Sequence, residues 1–333
     1  MKKGVLLINL GTPDSPKVSD VRKYLTQFLN DPFVIDINPI GRFLLVNGII
    51  VPFRAPKSAK LYEKIWTDEG SPLLIHGKKL KEFLQKELGS FYVVELGMRY
   101  QNPSIESAFL KLKEAGVTEI IAIPLYPQYA TSSTKSTIQE VKRVSEKHMF
   151  PSVKTINKFY QNENFIETIV EISKKYNLNE YEHFLFSYHG LPERQITKVY
   201  PDNCKINSDC CSQITSKNEL CYRAACYETT RQLVKRLKIP DGKYTTAFQS
   251  RLDDKWLKPY SDKVVEEKAR EGIKKMLVFS PAFVADCLET IYEIGIEYAE
   301  IFKHNGGEKL QMVESLNTHP KWIETLKGII IEK

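Results

Sequence analysis

The stretch His183-Phe-Leu-Phe-Ser-Tyr-His189-Gly190-Leu191-Pro192 decides the fold class. A short, aromatic-rich apolar run halted by glycine and proline reads as a buried strand ending in a sharp turn. Runs of the same kind recur at residues 5–10, 92–98 and 119–126, and again at 244–248, 275–280 and 310–314. Helical periods lie between them at 19–29, 78–88, 104–115, 137–147 and 165–175. Strands alternating with helices predict an α/β protein with parallel sheets covered on both faces. Two sets of runs in 333 residues predict two similar lobes, 1–150 and 151–333, meeting near Phe150-Pro151-Ser152. The last segment is expected to pack back on the first lobe. Ligands of open α/β folds bind beyond the carboxyl ends of the strands, so residues just after each run are the ones to question.

Composition removes several classes. At 42% hydrophobic and 27% charged, the chain is globular rather than disordered or fibrous. Its net charge of +7 sits on scattered lysines, with no long basic run and no RNA-binding aromatic motif, so nucleic acid is not an expected partner. A mildly basic surface fits peripheral contact with anionic lipid. The first apolar run is too short for a signal peptide and leads into Gly11-Thr12-Pro13 without a small-residue cleavage site. Residues 43–53, the longest apolar stretch elsewhere, are broken by Asn47 and Gly48, stopped at Pro52, and too few to span a bilayer. A cytoplasmic protein is expected. The turn from Leu10 to Ser15 holds one glycine, so it is neither a dinucleotide fingerprint nor a P-loop.

Three constellations could carry chemistry. His189 ends the quoted strand, where an imidazole can bind a metal, accept a proton, or simply bond a turn carbonyl. Residues 278–294 read as a strand running into Ser280-Pro281 and a helix starting near Val284. At about 100° per residue, Asp286, Glu289 and Glu293 share one face of that helix, extended by Glu297 and Glu300. Such a stripe is ordinarily a solvated face. Carboxylates without interleaved lysines also repel one another, which a cation conduit or a proton relay would explain.

The third constellation is Cys204, Cys210, Cys211, Cys221 and Cys226, five of the six cysteines. In a cytosolic chain that density favours a metal centre over disulfides, and four thiolates could hold zinc or an iron–sulfur cluster. Cys287 reads as a core residue. Met98-Arg99-Tyr100 ends another run, and a following loop gathers Tyr126, Gln128, Tyr129, Ser132 and Thr134. These could line a flat apolar pocket with polar edges, or brace their own loop.

The motifs Asn9-Leu-Gly-Thr-Pro13, Gly70-Ser-Pro-Leu73, Met98-Arg-Tyr100, Tyr126-Pro-Gln-Tyr-Ala130, Ser187-Tyr-His-Gly-Leu-Pro192, Phe248-Gln-Ser-Arg251 with Trp256-Leu257, Phe283-Val-Ala-Asp-Cys-Leu-Glu-Thr290 and Glu314-Ser-Leu-Asn317 occur in this order from end to end. The ordered set resembles the ferrochelatases, which insert Fe2+ into a porphyrin in haem synthesis. The resemblance implies two flavodoxin-like lobes of chelatase type with a porphyrin cleft between them. His189 matches the family's active-site histidine and Glu289 its carboxylate partner across the cleft; the pair would also meet the Fe2+ substrate. Asp286 and Glu293 match the other acidic positions, as a relay. Arg99 and Tyr100 fall on pocket positions, with Tyr126, Gln128 and Ser132 as further porphyrin contacts. Residues 33–54 resemble an apolar lip facing porphyrin or membrane, which would make the protein peripheral to the inner membrane.

Two departures stand out. The family's glycine after Phe-Gln-Ser-Arg is replaced by Leu252-Asp253-Asp254, which puts the local turn in question. Residues 204–226 look like an insertion, and similar cysteine-rich forms carry a [2Fe–2S] cluster. Cys204, Cys211, Cys221 and Cys226 are the ligands chosen here, with zinc as the other metal. Leu10, where coproporphyrin-type members have tyrosine, favours protoporphyrin IX over coproporphyrin III. The rivals are a cobalt or nickel chelatase, which a histidine in place of Glu289 would favour, and a non-catalytic haem or iron carrier.

Overall fold

A computed structural model describes every residue except Met1, Pro151, Asp202, Asn203, Lys205, Asn207 and Ser208. The last three lie in the cysteine-rich stretch, and that part of its reading falls outside the described residues. The apolar runs form central strands because a strand buried on both faces needs no polar alternation. In the first unit, β1 (Lys2–Gly11), β2 (Tyr92–Tyr100), β3 (Val117–Pro124) and β4 (Val153–Thr155) make a parallel sheet in the order β2-β1-β3-β4. In the second, β5 (His183–His189), β6 (Tyr244–Gln249), β7 (Lys275–Phe279) and β8 (Lys309–Met312) repeat it as β6-β5-β7-β8. The parallel α/β architecture expected from the sequence is the one observed.

This strand order places the ligand crevice. The chain leaves β5 toward β6 on one side and returns to β7 on the other, so connections diverge at the carboxyl ends of β5 and β7. His189 is the last residue of β5. A glycine follows or closes the first strand of each sheet, and each is required by close backbone approach. A Cβ on Gly11, whose φ is 116°, would lie 2.0 Å from the Tyr100 carbonyl oxygen; one on Gly190 would lie 2.6 Å from that of Gln249.

The first unit comprises Met1–Tyr126, Ala130–Asn157 and Pro320–Lys333, and the second Pro127–Tyr129 and Lys158–His319. The chain therefore stays with the first sheet beyond residue 150. Strand β4 was not foreseen because Val153-Lys154-Thr155 carries no apolar run; its place comes from backbone pairing with β3. Helix Pro320–Ile331 buries Trp322, Leu326 and Ile330, and its Lys327 pairs with Glu87 of helix Pro72–Leu88. Among the described residues no helix is long and apolar enough to cross a membrane.

His183, buried at the start of β5, bonds Thr245 at 3.0 Å. Burial, with Lys268 nearby, lowers its pKa from 6.5 to about 4. Between those values the unfolded chain binds the extra proton, so stability rises with pH through that window. Urea unfolding at pH 4.5 and pH 7 should show this group contributing on the order of 2–3 kcal/mol at the higher pH. His183→Gln should lose that part of the pH dependence; an identical pH profile in the variant would contradict the reading.

Candidate active site

The site is built around Gln249, the last residue of β6, which pairs with His189 in the parallel ladder. Its side chain is almost wholly buried. Oε1 accepts from Ser187 Oγ at 2.7 Å, while Nε2 donates to the Glu289 carbonyl and to Glu293 Oε2, both at 3.0 Å. One amide thus joins β5 and β6 to the helix that follows β7. The His189 carbonyl accepts the Tyr222 hydroxyl at 2.8 Å, and its ring meets Phe283 edge-on with centroids 6.4 Å apart. His189 and Glu289 are both half-buried. They belong to the same unit and rise from the same end of one sheet.

The acidic helix differs from expectation. It starts at Leu288 rather than near Val284 or Asp286, and Leu288–Tyr298 is a π-helix with i→i+5 bonding. Its start is delayed because Asp286 acts as a tie. Oδ1 accepts from Thr290 Oγ1 and the Ser315 N–H, both at 3.1 Å, and Oδ2 from Asn317 Nδ2 at 2.7 Å. Cys287, buried as expected, then caps the helix with Thr290. The 100° register drawn through Asp286 therefore fails; only Glu297 and Glu300 behave as a solvated face.

Glu293 is likewise an anchor rather than an open relay group. Oε1 accepts from the Ser250 N–H at 2.8 Å and Tyr298 OH at 3.0 Å; Oε2 accepts from Ser250 Oγ at 2.5 Å and from Gln249. Burial raises its pKa against these bonds, and the Glu289 charge adds to the rise. This clamp also answers the missing glycine. Ser250 takes the left-handed conformation, φ 61°, and Glu293 holds it there. Arg251 stacks on Tyr260 at 4.1 Å and pairs with Asp262.

The remaining candidates divide by unit. In the first, Arg99 and Tyr100 are engaged with Asp31 and Ser136 rather than open, while Tyr126 meets Thr137 at 3.5 Å and Ser132 lies in the π-turn Thr131–Lys135. Thr12 bonds Ser71 at 2.9 Å, joining the Gly-Thr-Pro and Gly-Ser-Pro motifs. Gln128 belongs to the second unit, buried, with Nε2 donating to Thr229 at 3.1 Å. Sequence reasoning missed Asp31 and Gln249. Gln249 had a signal, the end of the strand after His189; nothing in spacing ties residue 31 to residue 99.

Among the described residues no group of three or more His, Cys, Asp or Glu side chains is disposed to hold a metal ion. The cysteines nevertheless gather. Cys211 bonds Cys221, which lowers the Cys221 pKa, and the Cys210 and Cys211 sulfurs are 3.8 Å apart. Cys204 feels Cys210 and Cys211, although burial is what chiefly raises it; burial also raises Cys226, wholly enclosed in helix Tyr222–Leu237. Arg223 donates to Cys211 Sγ at 3.2 Å and Arg231 to its carbonyl at 3.1 Å. Soft sulfur donors beside a guanidinium fit a thiolate-held, negatively charged group.

Two parallel units with one strand order, and a histidine at the switch point of the second, define a chelatase-type α/β fold. The same fold occurs in the structure of SirB from Bacillus subtilis with Fe3+, at a TM-score of 0.56 and 12% identity, covering 100% of this chain and 95% of that one. SirB from Bacillus subtilis subspecies spizizenii with cobalt gives 0.55 at the same identity and coverage. The ferrochelatase family profile matches residues 2–333. A ferrochelatase from Coxiella burnetii is 47% identical over 332 residues, 98% of this chain and 92% of that one. One from Legionella pneumophila is 44% identical over 335 residues, spanning both chains in full. The chain belongs to the ferrochelatase family, porphyrin metal chelatases of the lyase class.

Glu293→Gln keeps one acceptor oxygen but must turn its NH2 group toward donors, either the Gln249 amide and Ser250 hydroxyl or the Ser250 N–H and Tyr298 hydroxyl. The donor–donor conflict should cost about 1–3 kcal/mol in urea unfolding at pH 7. Unchanged stability would show that the clamp is slack.

Proposed function

We propose that the protein inserts Fe2+ into protoporphyrin IX to make protohaem, with His189 and Glu289 at the reacting ring. What carries the reading is a half-buried histidine at the β5/β7 switch point, paired in the sheet with Gln249, whose side chain holds the backbone of a half-buried carboxylate residue. Chelation must remove two pyrrole protons while ring nitrogens replace the metal's water ligands. A neutral imidazole can take a proton directly. A carboxylate beside it favours the cation and the imidazolium that forms. Tyr222 fixes the His189 backbone and Phe283 limits its ring. Asp286 and Glu293 support the pair as anchors. Leu10 favours protoporphyrin IX. Tyr126 and Ser132 stand as candidate contacts for the porphyrin edge.

The segment 33–54 exposes Ile40, Phe43, Leu44 and Phe53, an apolar surface suited to a porphyrin or to the membrane face at which a cytoplasmic enzyme would receive one. Cys204, Cys211, Cys221 and Cys226 would hold a [2Fe–2S] cluster, which when bound supplies one-electron chemistry and a covalent clasp on its loop. Protein purified anaerobically should be coloured, with visible absorbance lost in Cys211→Ser; a colourless protein containing zinc would overturn the cluster.

The test of function mixes purified protein, Fe2+ and protoporphyrin IX without oxygen and follows the Soret band. Haem should form over many turnovers, and His189→Ala should slow it about 100-fold or more while porphyrin still binds. Normal turnover in that variant would sink the site. Faster insertion into coproporphyrin III would reassign the substrate, and binding without turnover would make the protein a carrier.

A further inference from the structure

We propose that Asp31 is a positioning residue for porphyrin binding, fixing the root of the apolar segment 33–54 without touching the reacting ring. The inference rests on the chelatase reading above. Asp31 is 4% exposed, just beyond helix Val18–Leu29. Its Oδ2 accepts from Arg99 Nη2 at 2.5 Å, Tyr100 OH at 2.9 Å and Ser136 Oγ at 2.6 Å. Its Oδ1 accepts the Phe33 N–H at 2.7 Å, and its carbonyl the N–H groups of Val34 and Ile35, both at 3.0 Å. One residue therefore binds in two directions: to the end of β2 and the first turn of helix Ser136–Lys147, and to the opening residues of the apolar segment.

The opening part of the segment depends on that root, because its own packing does not place it before Val46 and Val51, which are buried. Helix Pro39–Leu44 has no buried residue, while Ile40 is 75% and Phe53 71% exposed. An element that buries nothing takes its direction from its polar attachments. Here they are Asp31, the Arg42 guanidinium on the carbonyls of Ile35 and Ile37, both at 3.2 Å, and the Asn38 cap on Gly41 at 2.7 Å. Arg99 serves the same root. Its Nη2 is held by Asp31 and its Nε by Ser136 at 2.7 Å, so this face of the guanidinium fork is committed inside the protein rather than offered to a substrate carboxylate. Burial, with the Asp31 charge, drives the Tyr100 hydroxyl far above its usual range and keeps it a donor.

The test uses Asp31→Asn and Arg99→Lys in the full chain, with porphyrin varied at saturating Fe2+ and trypsin sensitivity followed in parallel. Porphyrin KM should rise about tenfold with kcat within twofold, the mark of lost binding rather than lost chemistry. Cleavage after Arg42 and Arg54 should quicken, and the double variant should be little worse than either single one. Should Asp31→Asn fail to fold, Arg99→Lys, which keeps the charge but not the fork, carries the same test. An unchanged KM, or a fall in kcat alone, would overturn the proposal. Wild-type protein that inserts no iron would sink the functional reading, whereas unaltered proteolysis would sink the Asp31 attachment by itself.

Discussion

A single buried amide organises the carboxyl end of the second sheet. Gln249 has no charge, yet its oxygen and nitrogen face opposite demands: Ser187 must donate to it, and Glu289 and Glu293 must accept from it. Only an amide meets both, and an unmet buried partner would cost more than the bond contributes. Because Gln249 also pairs with His189 in the sheet, one residue meets the histidine through its backbone and the helix carrying Glu289 through its side chain. Rigid strands set the histidine; a polar network sets the carboxylate.

The two units reach similar ends by different means. Both run their strands in one order, and both close the first strand with a glycine pressed against the second. Beyond that point they diverge. The second gathers ionisable groups at its switch point, and its π-helix gives a wide turn in which Glu293 can reach back to the Ser250 turn. The first binds its strand-end arginine and tyrosine inward to Asp31, leaving an apolar segment on its surface.

Much of this was legible in the sequence. Apolar runs ending in glycine or proline give strands almost by arithmetic, and the strand-end rule then singles out His189. What failed did so for identifiable reasons. Strand β4 is three residues long and held by pairing, not by pattern. The helical wheel through Asp286, Glu289 and Glu293 assumed an α-helix that begins too early; a carboxylate tied to Thr290, Ser315 and Asn317 cannot be told from a solvated one by spacing. Asp31 was invisible for the same reason, since its partners Arg99, Tyr100 and Ser136 lie far off in the chain, whereas the strand end at Gln249 was legible and its bonds to Glu289 and Glu293 were not. A glycine absent after Arg251 looked like a disrupted turn, but the left-handed position is Ser250, which Glu293 secures.

On the proposed function, His189 and Glu289 act as one unit because Gln249 links the strand of one to the helix of the other. A double-mutant cycle in the anaerobic Fe2+-insertion rate measures this directly, using His189→Ala, Glu289→Gln and the pair together. Residues that act together are strongly non-additive, so the double variant should be about as slow as the slower single one. Costs that simply add would mean two independent groups, and would contradict the account.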